Sequence, residues 1–183
     1  MRTRVELACS ILEAAYSMMI RNVAYVTLPV ALYVPPGGYR SILGTLKHAA
    51  GWSHVYRSYA FDTQPNDWSH IAWPQGRRDT IIPSEEYLLE LIDWFKQAHR
   101  DWMRDLKNAS EADLEGHRPV HWGETAPLFD IVTMIAHHHV YHAGELNQIL
   151  SIVRGEAWEE GEEVEENNVS TKGHRARPPW MND

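Results

Sequence analysis

Four histidines crowd into a short stretch, His137, His138, His139 and His142, inside an apolar segment with helical period, and this run constrains the chain more than any other feature. Between residues 128 and 153, Leu128, Ile131, Ile135, His138, His142, Leu146 and Ile149 recur at intervals of three and four, which places them on one stripe of a helix. His138 and His142 therefore stand one turn apart on the face that a globular fold buries. Two buried imidazoles cost free energy unless something satisfies them, and a divalent metal ion is one such partner. The plainer reading of any single histidine there is a core residue hydrogen-bonded to a neighbour. The i, i+4 pair shifts that balance, because one helix then offers two nitrogens to one ion. A tetrahedral site still needs a third protein ligand.

The rest of the chain reads as helices of similar length. A first spans about residues 3–26, with Val5, Leu12, Ala15, Met19 and Val23 on one face; Pro29 and the run Pro35-Pro36-Gly37-Gly38 end it and form a linker. A second spans about 41–60, with a stripe of Ile42, Leu46, Ala49 and Ser53 and enough small residues for close helix approach. Periodicity vanishes over 61–83, a long loop of the kind that often carries function in a compact domain. Ser84 is a good N-cap for a third helix, followed by Glu85 and Glu86 and by inward Leu88, Leu91, Ile92, Phe95, Trp102 and Leu106, up to Asn108. A second loop covers 109–123. Thr125 and Pro127 then look like the start of the histidine helix, with Gly155 as its C-cap. Four amphipathic helices with long connections predict an all-α four-helix bundle over residues 1–154. Residues 155–183, acidic and then basic, read as an irregular tail, solvated or laid along the body or a neighbouring subunit.

Composition narrows the function classes. A formal charge of -8 argues against nucleic acid, which needs a basic face, although seven glutamates between Glu156 and Glu166 leave the remainder near neutral. No apolar run has the roughly 18–20 residues of a membrane span. Glu6 and Glu13 interrupt what would be a signal segment. The single cysteine, Cys9, rules out an internal disulfide and fits a reducing cytoplasm. Eight tryptophans suggest an aromatic-lined interior or pocket mouth, with Trp52, Trp68, Trp73 and Trp122 near helix ends or in loops, where packing alone also explains them.

Candidates for the third ligand are several. His48 and His54 are six apart in the second helix, so they do not share a face, and spacing does not choose between them. His70, His117 and His121 lie in loops and read as solvated, as do His99 and His174. His137 and His139 flank the stripe, and a pairing of His139 with His142 is geometrically open. Glu145 lies one turn beyond His142, where it can orient a ligand or carry protons; a solvated carboxylate is the plainer reading. Tyr141 falls off the stripe, and Gly144 suggests close packing by another helix.

The segment His138-His139-Val140-Tyr141-His142-Ala143-Gly144-Glu145-Leu146 resembles the His-x-x-Tyr-His-x-Gly-(Glu/Gln)-(Ile/Leu) signature of the DinB-like superfamily, whose four-helix bundles include YfiT-like metal hydrolases and metal-dependent thiol transferases. The stretch from Ser41 to Ala50, through His48, is similar to that family's second helix, where the first metal ligand follows an apolar run. The resemblance covers about residues 3–154 and is more specific in the last helix than elsewhere. It implies a metal triad of His48, His138 and His142, with His137 and His139 as bystanders or supporting groups. It also implies a divalent cofactor, zinc or nickel, transfer of a low-molecular-weight thiol such as bacillithiol or mycothiol onto a small electrophile, and homodimers. Some relatives isomerise maleylpyruvate with such a thiol.

Three neutral imidazoles leave an ion its full double charge and an open position, as catalytic sites do. Such an ion holds a thiol as thiolate or lowers the pKa of bound water toward about 7, so a hydrolase is the sibling expectation. The alternative is a non-catalytic, stress-related metal- or ligand-binding bundle. The lack of Glu-x-x-His motifs on the helices, where only a reversed His142-x-x-Glu145 occurs, argues against a ferritin-like di-iron centre. His-Glu-x-x-His, the P-loop pattern and Gly-x-Ser-x-Gly are absent too.

Overall fold

The computed structural model of the chain describes residues 2–76 and 83–154. Four long helices dominate: α1 (Arg4–Val23), α3 (Ile42–Phe61), α4 (Glu85–Asn108) and α6 (Leu128–Arg154). Short elements, α2 (Leu28–Leu32), α5 (Glu111–Glu115), β1 (His117–Pro119) and β2 (Thr125–Pro127), fill the connections. The long helices pack as a ring in which α1 meets α6, α6 meets α3, α3 meets α4 and α4 returns to α1. This is the all-α bundle that the sequence predicts. No helix among the described residues is long and apolar enough to cross a membrane. The 155–183 tail, with His174, and the loop markers Arg77, Arg78 and Asp79 lie outside the described residues.

Side-chain oxygens at the helix starts satisfy backbone N–H groups that the helices leave open. Thr3 and Glu6 form a reciprocal capping box on α1, while Ser41 Oγ accepts from the Gly44 N–H (3.2 Å) and Ser84 Oγ from that of Tyr87 (3.1 Å). The apolar stripes then pack inward. Leu12, Ala15, Met19 and Val23 of α1, Ile42, Leu46 and Ala49 of α3, and Leu88, Leu91, Phe95, Trp102 and Leu106 of α4 are all buried. Two clusters result. One takes Ala143, Leu146, Ile149 and Leu150 from α6, the other Leu128, Ile131, Val132, Ile135 and Ala136. Between those two runs lie the turns that carry the histidines.

Several boundaries differ from the sequence expectation. The first helix stops at Val23, and Pro29 does not end it but sits in the first turn of α2, where its fixed φ favours initiation and its missing N–H costs nothing. Thr125 and Pro127 do not open the last helix. They form β2, paired antiparallel with β1 as His117↔Pro127, Arg118↔Ala126 and Pro119↔Thr125, and α6 begins at Leu128. Gly123 takes φ 91° in the connection between the strands, a conformation that glycine adopts without a Cβ penalty. The 109–123 loop also contains α5, capped by Ser110 and Asp113.

Glycine use is corrected as well. Gly144 is exposed, and an added Cβ there meets nothing within 4 Å, so no neighbouring helix demands it. The close approach occurs at Gly51 of α3 instead. A Cβ at that position would lie 2.6 Å from the Trp73 ring and 2.7 Å from the Trp68 ring.

Candidate metal centre

α3 and α6 pack side by side, and the inward faces of both carry imidazoles at the same level. His138 Nε2 lies 3.2 Å from His48 Nε2 and 3.1 Å from His142 Nε2. One nitrogen from each of the three rings falls within 4.8 Å of the other two, the arrangement of a group able to hold a metal ion. Bonds of about 2.0–2.1 Å in a tetrahedral site put ligand nitrogens roughly 3.3–3.4 Å apart, close to the two shortest separations. Other observations fit a cation there. His142 Nδ1 contacts Glu145 Oε2 at 2.6 Å; with the proton on Nδ1, donated to the carboxylate, the Nε2 lone pair faces its neighbours. Burial pulls the His48 pKa down to about 4, helped by the nearby charges of Arg40 and His142. Burial, with the neighbouring His142, His139 and His48, pulls that of His138 down to about 2. The neutral form of an imidazole is the one that ligates, and burial favours that form at His48 and His138.

The structure decides between His48 and His54. His54 stacks on Trp94 at 4.1 Å and donates from Nε2 to the Trp94 carbonyl at 3.2 Å, facing α4 and away from the other imidazoles. His139 is equally committed elsewhere. It is 1% exposed and its Nε2 contacts Ser53 Oγ at 2.7 Å, so it does not join His142. His137 is exposed on the far side of α6. His70 pairs with Asp67 at the surface, and His117 is exposed in β1. His121 is exposed too, although its ring leans on Trp52 at 4.6 Å.

His99 departs from the expected solvated side chain. It is 8% exposed, stacks on Tyr16 at 3.7 Å and contacts Glu13 Oε2 at 2.8 Å through Nε2. Its position was readable, since it lies four residues after Phe95 and three before Trp102 on the α4 stripe.

An aromatic wall flanks the three histidines. Trp52 and Trp68 stand 6.3 and 6.1 Å from the His48 ring and 5.1 Å from each other, and Trp73 closes edge-on against Trp68 at 4.9 Å. Trp68 and Trp73 come from the 61–83 loop, so that connection builds one side of the site. Trp122 is 46% exposed and, among the described residues, meets the wall through the His121 ring at 4.8 Å. Arg40 went unnoticed in the sequence; it precedes the α3 N-cap in a loop, where no periodicity marks it.

The fold and the site together define a helical bundle with a three-histidine candidate metal centre. The model of the DinB superfamily matches residues 11–146, and the chain belongs to that superfamily. The matched span contains His48, His138, His142 and Glu145. No curated protein matches the chain.

Proposed function

We propose that the chain is a metal-dependent transferase of the low-molecular-weight-thiol type, with His48, His138 and His142 as the ligands of one zinc or nickel ion. The convergence of three imidazole nitrogens, two pairs of them 3.1–3.2 Å apart, carries this reading. When bound, the ion would supply Lewis-acid chemistry that favours the thiolate form of a thiol.

The chain's own residues supply the rest. Glu145 fixes the tautomer and ring orientation of His142 and strengthens it as a ligand. With a side chain 36% exposed, Glu145 also stands where a proton can pass between the site and solvent. Trp52 and Trp68 form an apolar wall that keeps water from one side of His48 and presents flat surfaces to the electrophile. The loops 61–83 and 109–123, which bring Trp68 and His121 to this wall, select that second substrate. The lone Cys9 supports a cytoplasmic setting.

The test is turnover by the zinc- or nickel-loaded protein of a panel of small electrophiles, alkyl halides, epoxides and esters, with and without added thiol. Thiol-dependent consumption of the electrophile is the expected result. Turnover without thiol makes water the nucleophile and the protein a hydrolase. No turnover at full metal occupancy makes it a metal-binding bundle without this chemistry.

A further inference from the structure

Next to the three histidines lies a second feature that the metal centre does not use. A cavity of about 200 Å³ opens between the segment before α3 and the second half of α6, lined by Tyr39, Arg40, Thr45, Glu145 and Gln148 among others. Glu145 belongs to both places: it lines the cavity and its Oε2 contacts His142 Nδ1 at 2.6 Å. One imidazole ring therefore separates the cavity from the centre.

Arg40 packs against its neighbours although it precedes the helix. Its Cβ and Cγ lie 3.7 and 3.9 Å from where a Gly44 Cβ would stand, so the stem rests against the first turn of α3. Its guanidinium sits 4.9 Å over the ring of Tyr39. Among the described residues no carboxylate forms an ion pair with it, and Glu145 is engaged by His142. A guanidinium that makes no ion pair among the described residues, in a cavity that also offers the polar side chains of Tyr39, Thr45 and Gln148 and holds Glu145 turned to His142, suits a planar anion.

We propose that Arg40 is the anion-recognition residue of this site: the thiol that the centre receives carries a carboxylate, which Arg40 binds as a bidentate pair so that the sulfur is directed toward the three histidines. The proposal rests on the metal-centre reading above and adds the charge and the orientation of the thiol substrate. Arg40 is a specificity-determining residue in this scheme and takes no part in bond making.

The experiment uses the full chain loaded with cobalt(II) and titrated with 3-mercaptopropionate or its uncharged counterpart 3-mercaptopropionamide, read by thiolate-to-cobalt absorption. The wild type should bind the carboxylate thiol at least about tenfold more tightly than the amide, the scale of one charge-assisted hydrogen-bonded pair. Arg40→Gln should abolish that preference, Arg40→Lys should restore part of it, and neither should change the cobalt bound per chain. A wild type that does not distinguish the two thiols, or an Arg40→Gln variant that still does, overturns the proposal. So does a spectrum that neither thiol moves. Failure to take up cobalt at all overturns the metal-centre reading along with it, whereas full uptake without preference removes Arg40 alone.

Discussion

Gly51→Ala sets two effects of opposite sign against each other. In an exposed helix, alanine for glycine stabilises by about 1 kcal/mol, because glycine loses more backbone freedom on folding. At position 51 the new methyl would sit 2.6 Å from Trp73 and 2.7 Å from Trp68. Reaching an ordinary contact of 3.4 Å means moving the rings by about 0.8 Å. They have little room to retreat: Trp73 is 8% exposed and is backed by Trp94 at 5.1 Å, while Trp68 is backed by Trp52 at 5.1 Å. Overpacking of this kind costs about 1–3 kcal/mol, and two rings under pressure at once place it in the upper part of that range. The net expectation is destabilisation of about 1–2 kcal/mol, or a loss of roughly 2–4 °C in Tm per kcal/mol for a chain of this size. Urea unfolding followed by far-UV circular dichroism measures the free energy, and the near-UV spectrum reports the displaced indoles. A variant as stable as the parent or more so, with an unchanged near-UV spectrum, would refute the reasoning, since helix propensity alone would then account for it.

Three further expectations follow from the same contacts. In metal-free protein, burial holds His48 and His54 neutral down to about 4 and His139 down to about 3, whereas an unfolded histidine protonates near 6.5. The unfolded state therefore binds more protons as pH falls through 6.5, so the urea midpoint should drop steadily between pH 7 and pH 4; a flat or rising midpoint contradicts this. Ser53→Ala removes the partner of His139 Nε2 from a ring whose Nδ1 is already unpaired among the described residues, and should cost about 1–3 kcal/mol in unfolding free energy while metal stoichiometry stays the same. Glu145→Ala should leave one ion per chain but weaken its binding about 10–100-fold in a chelator competition, because His142 loses the carboxylate that orients it; equal affinity would remove Glu145 from the site.

What the sequence reveals and what it hides follow from physical causes. The stripes of α1, α3, α4 and α6 were legible because a 3.6-residue period survives intact over 20 residues or more. The pair His138 and His142 was legible on the same ground. The choice of His48 over His54 was not legible from spacing, because a ligand's direction depends on how α3 rotates against α6; only the family resemblance pointed to it. The β1–β2 pairing escaped notice because three-residue strands hold too little alternation to register, and Thr125 and Pro127 imitate a helix start. The partner of His99, unlike its place on the α4 stripe, hid for a related reason. The acidic partner, Glu13, comes from a helix more than 80 residues earlier, and the pairing shows only once α1 meets α4.

The central claim is that α3 and α6 present three imidazoles to one ion, and metal stoichiometry tests it most directly. The metal-free chain and its variants are to be titrated with zinc(II) and analysed for bound metal after removal of excess ion. The wild type should hold one ion per chain, His48→Ala and His142→Ala should hold none at equimolar zinc, and His54→Ala and His99→Ala should match the wild type. A wild type that binds no zinc, or equal binding by all four variants, would contradict the claim.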